Sequence, residues 1–138
     1  MPTDASSAVL LDTHVVLWWQ AESSQLSSKA RKHIESASNR FVSPVTFWEL
    51  TMLIVKGRVQ LDRPTVAWVN DFLASDRVAV AELTPGAAVL AGQLEGFHGD
   101  PADRMIVASA IAAGVPLVTK DSKIRQWAKA SRALTTVW

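Results

Sequence analysis

Asp12, Glu49, Asp103 and Asp121 are acids placed where acids are least expected. Asp12 ends the apolar run AVLLD, Glu49 sits inside PVTFWEL, Asp103 lies in DPADRMIVASA, and Asp121 ends PLVTKD. A carboxylate beside an apolar element resists burial unless something neutralises it. Several carboxylates sharing one site repel one another, and their pKa values rise. A hard divalent cation removes both problems, because Mg²⁺ and Mn²⁺ favour oxygen ligands. The four acids therefore read as candidate ligands of a metal site for phosphate chemistry.

Each acid also has a plainer account. Asp12 and Asp121 can each cap the helix that follows. Asp100 stands before Pro101 and reads as an N-cap with proline at the first helical position. Asp103 falls three residues beyond that cap, where an acid suits the helix dipole. Glu49 could face solvent, but Phe47, Trp48, Leu50, Met52, Leu53 and Ile54 cover most of its helix circumference. Four separate accounts are less economical than one shared site. His14, His33 and His98 lack zinc-ligand spacing. His98 and Asp100 are near enough in sequence to share a metal, although a loop histidine is more often polar surface. The six tryptophans read mainly as core, with Trp127 and Trp138 as candidates for stacking or association.

The elements that must position these acids follow from apolar patterning. AVLL (8–11) reads as a short buried strand, FVS (41–43), VAVAEL (78–83) and PLVT (116–119) as further strands, and ALTTVW (133–138) alternates and can form a last one. Helices are expected over 13–22, 26–37, 44–55, 64–75, 84–95, 101–113 and 122–130. Gly57, Gly96 and Gly114 mark helix ends. Strands separated by helices imply an α/β fold, a central, mostly parallel sheet flanked by helices. Ligands in such sheets bind beyond the carboxyl ends of strands, where Asp12 and Asp121 fall.

The length of 138 residues suits a single domain over 1–138, large enough to bury a core, and 49% of residues are hydrophobic. No apolar run is long enough to span a membrane. MPTDASSAVLLD lacks a signal-like core, and there are no cysteines, so a cytoplasmic protein is expected. The net charge of +1 excludes a bulk polybasic nucleic-acid binder. Locally, Lys120, Lys123, Arg125, Lys129 and Arg132 form a basic flank, which reads either as a solvated helix face or as a surface for a polyanion.

Taken in order, LLDTHVVLWW, SPVTFWEL with KGRVQL after it, HGDPADRMIVASA and LVTKD resemble the acidic motifs of the PIN-domain family, and within it the VapC-like ribonuclease toxins of type II toxin–antitoxin systems. The likeness covers nearly the whole chain. It implies a Rossmann-like, PIN-like sandwich, with Asp12, Glu49, Asp103 and Asp121 as metal-binding and catalytic acids. Thr119 matches a hydroxyl residue near the metal, and Asp100 is an additional acid of the DPADR segment. The resemblance further implies Mg²⁺ or Mn²⁺ as cofactor, an RNA substrate cleaved by metal-activated water, a small antitoxin as partner, and a homodimer. Lys120 and Arg104 could each anchor a phosphate or pair with a site acid.

Three rivals stand beside this reading. A phosphoacceptor signalling domain would want an adjacent acid pair after the first strand, and LLDTH has one acid. A haloacid-dehalogenase-type phosphatase would want an acid two residues after Asp12, where His14 stands. A catalytically silent PIN-like binding module would keep the fold without needing the full acid set.

Overall fold

A computed structural model describes residues 7–138. The signal-peptide reading falls partly on residues 1–6, outside the described residues. The element order is β1 (Val9–Leu11), α1 (Thr13–Gln20), α2 (Ser28–Ser36), β2 (Arg40–Val42), α3 (Pro44–Val55), α4 (Thr65–Leu73), β3 (Val78–Val80), α5 (Pro85–Gln93), α6 (Pro101–Ala113), β4 (Leu117–Val118), α7 (Ser122–Ser131) and β5 (Thr136–Val137). The strands form one parallel sheet in the order β3-β2-β1-β4-β5. The first strand in sequence is thus the central one. It pairs with β2 on one side and, across more than a hundred residues, with β4 on the other.

Strand side chains alternate between faces, and β1, β2 and β4 feed both layers. Val9 and Leu11 join Val42, Val118 and Val137 on one face, under Val15, Val16, Ile34 and Phe72 of α1, α2 and α4. Leu10 and Leu117 face the other way, against Leu94 at the end of α5 and Ile106, Val107 and Ile124 of α6 and α7. This two-faced burial is why the strands read as continuous apolar runs rather than alternating ones. Helix α3 packs on both α1 and α6, so it bridges the two layers.

Element types agree with the sequence expectation throughout, and the differences lie at the ends. Ser43 is not the end of a strand but the N-cap of α3, its hydroxyl accepting from Val45 N. VAVAEL pairs only over Val78–Val80, because its neighbour β2 is itself three residues long. Helix α1 stops at Gln20, and Glu22 then adopts a left-handed φ of 52°. Gly57, Gly96 and Gly114 all have positive φ, as their reading as helix terminators requires. The tryptophans are less uniformly core than composition suggests: Trp48 is 58% exposed. Trp127 is a packing residue, its Nε1 donating to Glu95 O and its ring set edge-on to Phe97. No helix of the described residues is long and apolar enough to cross a membrane.

Candidate metal centre

The sheet's carboxyl edge gathers the acids. Backbone pairing of β1 with β4 brings Asp12, which follows β1, beside Thr119, which follows β4. Asp12 N donates to Val118 O at 3.0 Å, and the Thr119 hydroxyl donates to Asp12 Oδ2 at 2.7 Å. Thr119 Oγ1 also accepts from Asp121 N at 3.1 Å, so one buried hydroxyl links the loop carrying Asp121 to the side chain of Asp12. Asp12 Oδ1 accepts from Thr13 N at 2.8 Å, and Asp121 Oδ1 from Lys123 N and Ile124 N at 2.8 and 3.1 Å. Both acids are therefore helix caps as well as members of the cleft.

Glu49 reaches the same cleft from α3. The Thr13 hydroxyl donates to its Oε1. Asp103 comes from the first turn of α6. Asp100 caps that helix by accepting from Asp103 N at 3.0 Å, with Pro101 in the first turn. Glu49, Asp100 and Asp103 each offer an oxygen, and these oxygens lie within 4.8 Å of one another. Asp12 and Asp121 line the same cleft, together with His14, Trp18, His98, Lys120 and Lys123. Asp100 thus joins the tightest acid group while also capping α6; its position at the helix start lets one carboxylate do both.

Electrostatically the cleft is short of positive charge. Burial raises the Asp12 carboxyl above its usual range, against the hydrogen bonds from Thr119 and Thr13. Burial pushes Glu49 up to about 7, with Asp12, Asp103 and Asp100 adding repulsion and the Thr13 hydrogen bond opposing. Asp103 is likewise raised, first by burial and then by Asp100, Asp12 and Asp121, while His98 opposes. Among the described residues, no lysine or arginine forms an ion pair with these acids. A set of hard oxygen donors with no lysine or arginine paired to them among the described residues fits a divalent cation such as Mg²⁺ or Mn²⁺.

Two cations considered from sequence take different places. Arg104 neither anchors the cleft nor pairs with a carboxylate. Its guanidinium donates to Ala91 O and Leu94 O at 2.8 Å, to Phe97 O at 3.0 Å, and at longer range to His98 O and Gly92 O. It ties the α5–α6 connection to α6, because that turning chain presents carbonyls that no helix satisfies. Lys120 stays exposed at the cleft, its ammonium 5.5 Å from the centroid of Trp18. Sequence reasoning undervalued His98: its Nε2 lies 2.8 Å from Asp103 Oδ2, and its ring stacks on Phe97. The signal available was a histidine just ahead of a capped helix whose first turn carries an acid.

Comparison with known proteins accords with this geometry. Over 120 residues the chain is 41% identical to the Mycobacterium tuberculosis protein named Ribonuclease VapC22, covering 86% of this chain and 91% of that one. Among solved structures, VapBC2 from Rickettsia felis, bound to a DNA fragment from its promoter, superposes with a TM-score of 0.66 at 17% identity, covering 94% of this chain and 96% of that one. VapBC-1 from nontypeable Haemophilus influenzae gives 0.65 at 16%, with the same coverages. At these identities the likeness speaks to the fold. The family model of the PIN domain matches residues 9–130, a span that contains every acid of the cleft. By that match and by its 41% identical relative, the chain belongs to the PIN-domain family.

Proposed function

We propose that this chain is a divalent-metal-dependent endoribonuclease, one nuclease domain over 1–138, acting as the toxin of a toxin–antitoxin pair. The observation that carries the reading is the convergence of Glu49, Asp100 and Asp103 within 4.8 Å, in a cleft shared with Asp12 and Asp121 and lacking a paired lysine or arginine among the described residues. The name of the 41% identical relative supports RNA as substrate. The VapBC complexes among the structural neighbours support a small antitoxin as partner. Trp48, Met52 and Val55, exposed along α3, support a protein contact, a homodimer or the antitoxin. The cytoplasm, where RNA and such a partner meet, is the compartment this reading implies.

Asp12, Glu49, Asp103 and Asp121, with Asp100 beside them, would hold Mg²⁺ or Mn²⁺. A bound divalent ion supplies water activation near neutral pH and offsets charge growing on the phosphoryl oxygens. The chain's own groups do the rest. Thr119 and the helix-cap bonds fix Asp12 and Asp121, Thr13 fixes Glu49, and His98 holds Asp103. Lys120 and Lys123 at the rim attract the RNA backbone. With water rather than the ribose 2′-OH as nucleophile, the products carry 5′-phosphate and 3′-hydroxyl ends.

The decisive experiment incubates purified protein with mixed cellular RNA, with Mn²⁺ or Mg²⁺ and with EDTA. Cleavage should require the metal. Undiminished cleavage in EDTA sinks the proposal, and a metal-replete protein that binds RNA without cutting it favours the silent binding module.

A further inference from the structure

Thr13 touches two of the site's acids at once. Its backbone N–H donates to Asp12 Oδ1 at 2.8 Å, and its hydroxyl donates to Glu49 Oε1. The same hydroxyl lies 3.1 Å from Thr46 Oγ1. Both threonines are sealed from solvent, at 2% and 1% exposure. A hydroxyl carries one proton and two acceptor lone pairs. Thr13 has committed its proton to the carboxylate, so the proton between the two threonines comes from Thr46. The result is a one-way chain, from Thr46 to Thr13 to Glu49, and hydrogen bonds linked in this sense strengthen one another. The chain crosses from α3 to α1 and back, because Thr46 lies one turn before Glu49 on α3.

Glu49 needs such a fixture. Its side chain is long, and holding it in one rotamer costs entropy. Its carboxylate is half-buried and faces three other acids that repel it. A carboxylate has about four lone-pair sites, so the Thr13 bond at Oε1 leaves others free. The geometry points to Thr13, supported by Thr46, as the positioning residue that sets the Glu49 carboxylate for a divalent cation. The inference rests on the metal reading of the cleft. Partners behind metal ligands are typically worth about 10–100-fold in affinity.

The test measures Mn²⁺ binding to the purified chain by calorimetry, alongside thermal unfolding in EDTA. Thr13→Val keeps the shape and removes the donor, Thr13→Ser restores the donor, and Thr46→Val removes only the supporting hydroxyl. Thr13→Val should unfold near the wild-type temperature and bind Mn²⁺ about 10–100-fold more weakly. Thr13→Ser should return to within roughly 3-fold of wild type, and Thr46→Val should fall between wild type and Thr13→Val. Wild-type affinity in Thr13→Val, or a Thr13→Ser variant as weak as Thr13→Val, overturns the assignment. Should Thr13→Val fail to fold, Thr46→Val decides, and wild-type affinity there overturns it too. Wild-type protein that binds no Mn²⁺ defeats the metal reading itself, a failure seen before any variant is compared.

Discussion

Two regions of the molecule draw charge out of water, at opposite ends of the sheet, and treat it in opposite ways. At the amino end of β2, Arg40 is only 6% exposed. Its guanidinium donates to Ile34 O, Asp76 O and Glu35 O at 2.8, 2.9 and 3.1 Å and lies 5.0 Å over the ring of Trp19. Burial lowers its pKa, but its donors are well used. At the carboxyl end, Asp12, Glu49 and Asp103 are also desolvated, yet receive few donors and face one another. A charge whose hydrogen bonds are satisfied within the fold is there for structure. Like charges held together with little compensation raise one another's pKa values, and such clusters are often found at sites.

The contrast breaks most sharply under paired substitutions. Asp12→Asn should lower RNA cleavage by more than about 100-fold, since even groups behind a metal ligand are commonly worth 10–100-fold. Its circular dichroism should remain that of wild type. Arg40→Met should do the reverse, costing roughly 2–4 kcal/mol in urea unfolding by stranding enclosed carbonyls, with cleavage per folded molecule nearly unchanged. An Arg40→Met protein as stable as wild type, or an active Asp12→Asn, would erase the distinction.

A pH scan sharpens it further. Glu49 has a folded pKa raised from 4.5 to about 7, so the folded state prefers its protonated form. The sign follows: its contribution to stability is full below pH 4.5 and is lost as pH rises through about 7. In EDTA, the unfolding temperature of wild type should fall relative to that of Glu49→Gln across this window. Added Mg²⁺ should restore it at the upper end, because metal binds the deprotonated carboxylate. Parallel profiles for the two proteins in EDTA would show that Glu49 carries no such strain.

The smallest effect separates the two duties of Asp100. Asp100→Ala should cost about 1 kcal/mol through the lost helix cap, whereas Asp100→Ser should keep the cap. If its carboxylate also serves the cation, Asp100→Ser should still weaken Mn²⁺ binding severalfold, because affinity follows ligand charge. Unchanged Mn²⁺ affinity in the serine variant would reduce Asp100 to a cap alone.

Much of this was legible from residue order, for physical reasons. Doubly covered parallel strands must be apolar on both faces, so AVLL and PLVT announced themselves, and Asp12 and Asp121 stood at their ends. Glu49 was conspicuous because Trp48 and Leu50 flank it in a helix with little other polarity. Strand ends were blurred because pairing length depends on the neighbour, as β2 limits β3. The partners of Arg104 were illegible because they are backbone carbonyls, which have no letter in the sequence. His98 was undervalued and Thr46 missed for a related reason: each acts on an acid through a contact set by how α3, α6 and α1 pack, not by a motif.

The placement of β1 at the centre of the sheet carries a temporal consequence. A chain made from its amino end lays down Asp12 and Glu49 early, beside β1 and β2, which are near neighbours in sequence. Asp103 arrives much later, and Asp121 only after Leu117 and Val118 exist to close against Leu10 and Leu11. Distant pairings of this kind form slowly, since a long loop must close first. The mutual repulsion of the acids is therefore deferred until most of the hydrophobic layers can oppose it. The nascent chain holds only half of the acid cleft until Asp103 and Asp121 have been added.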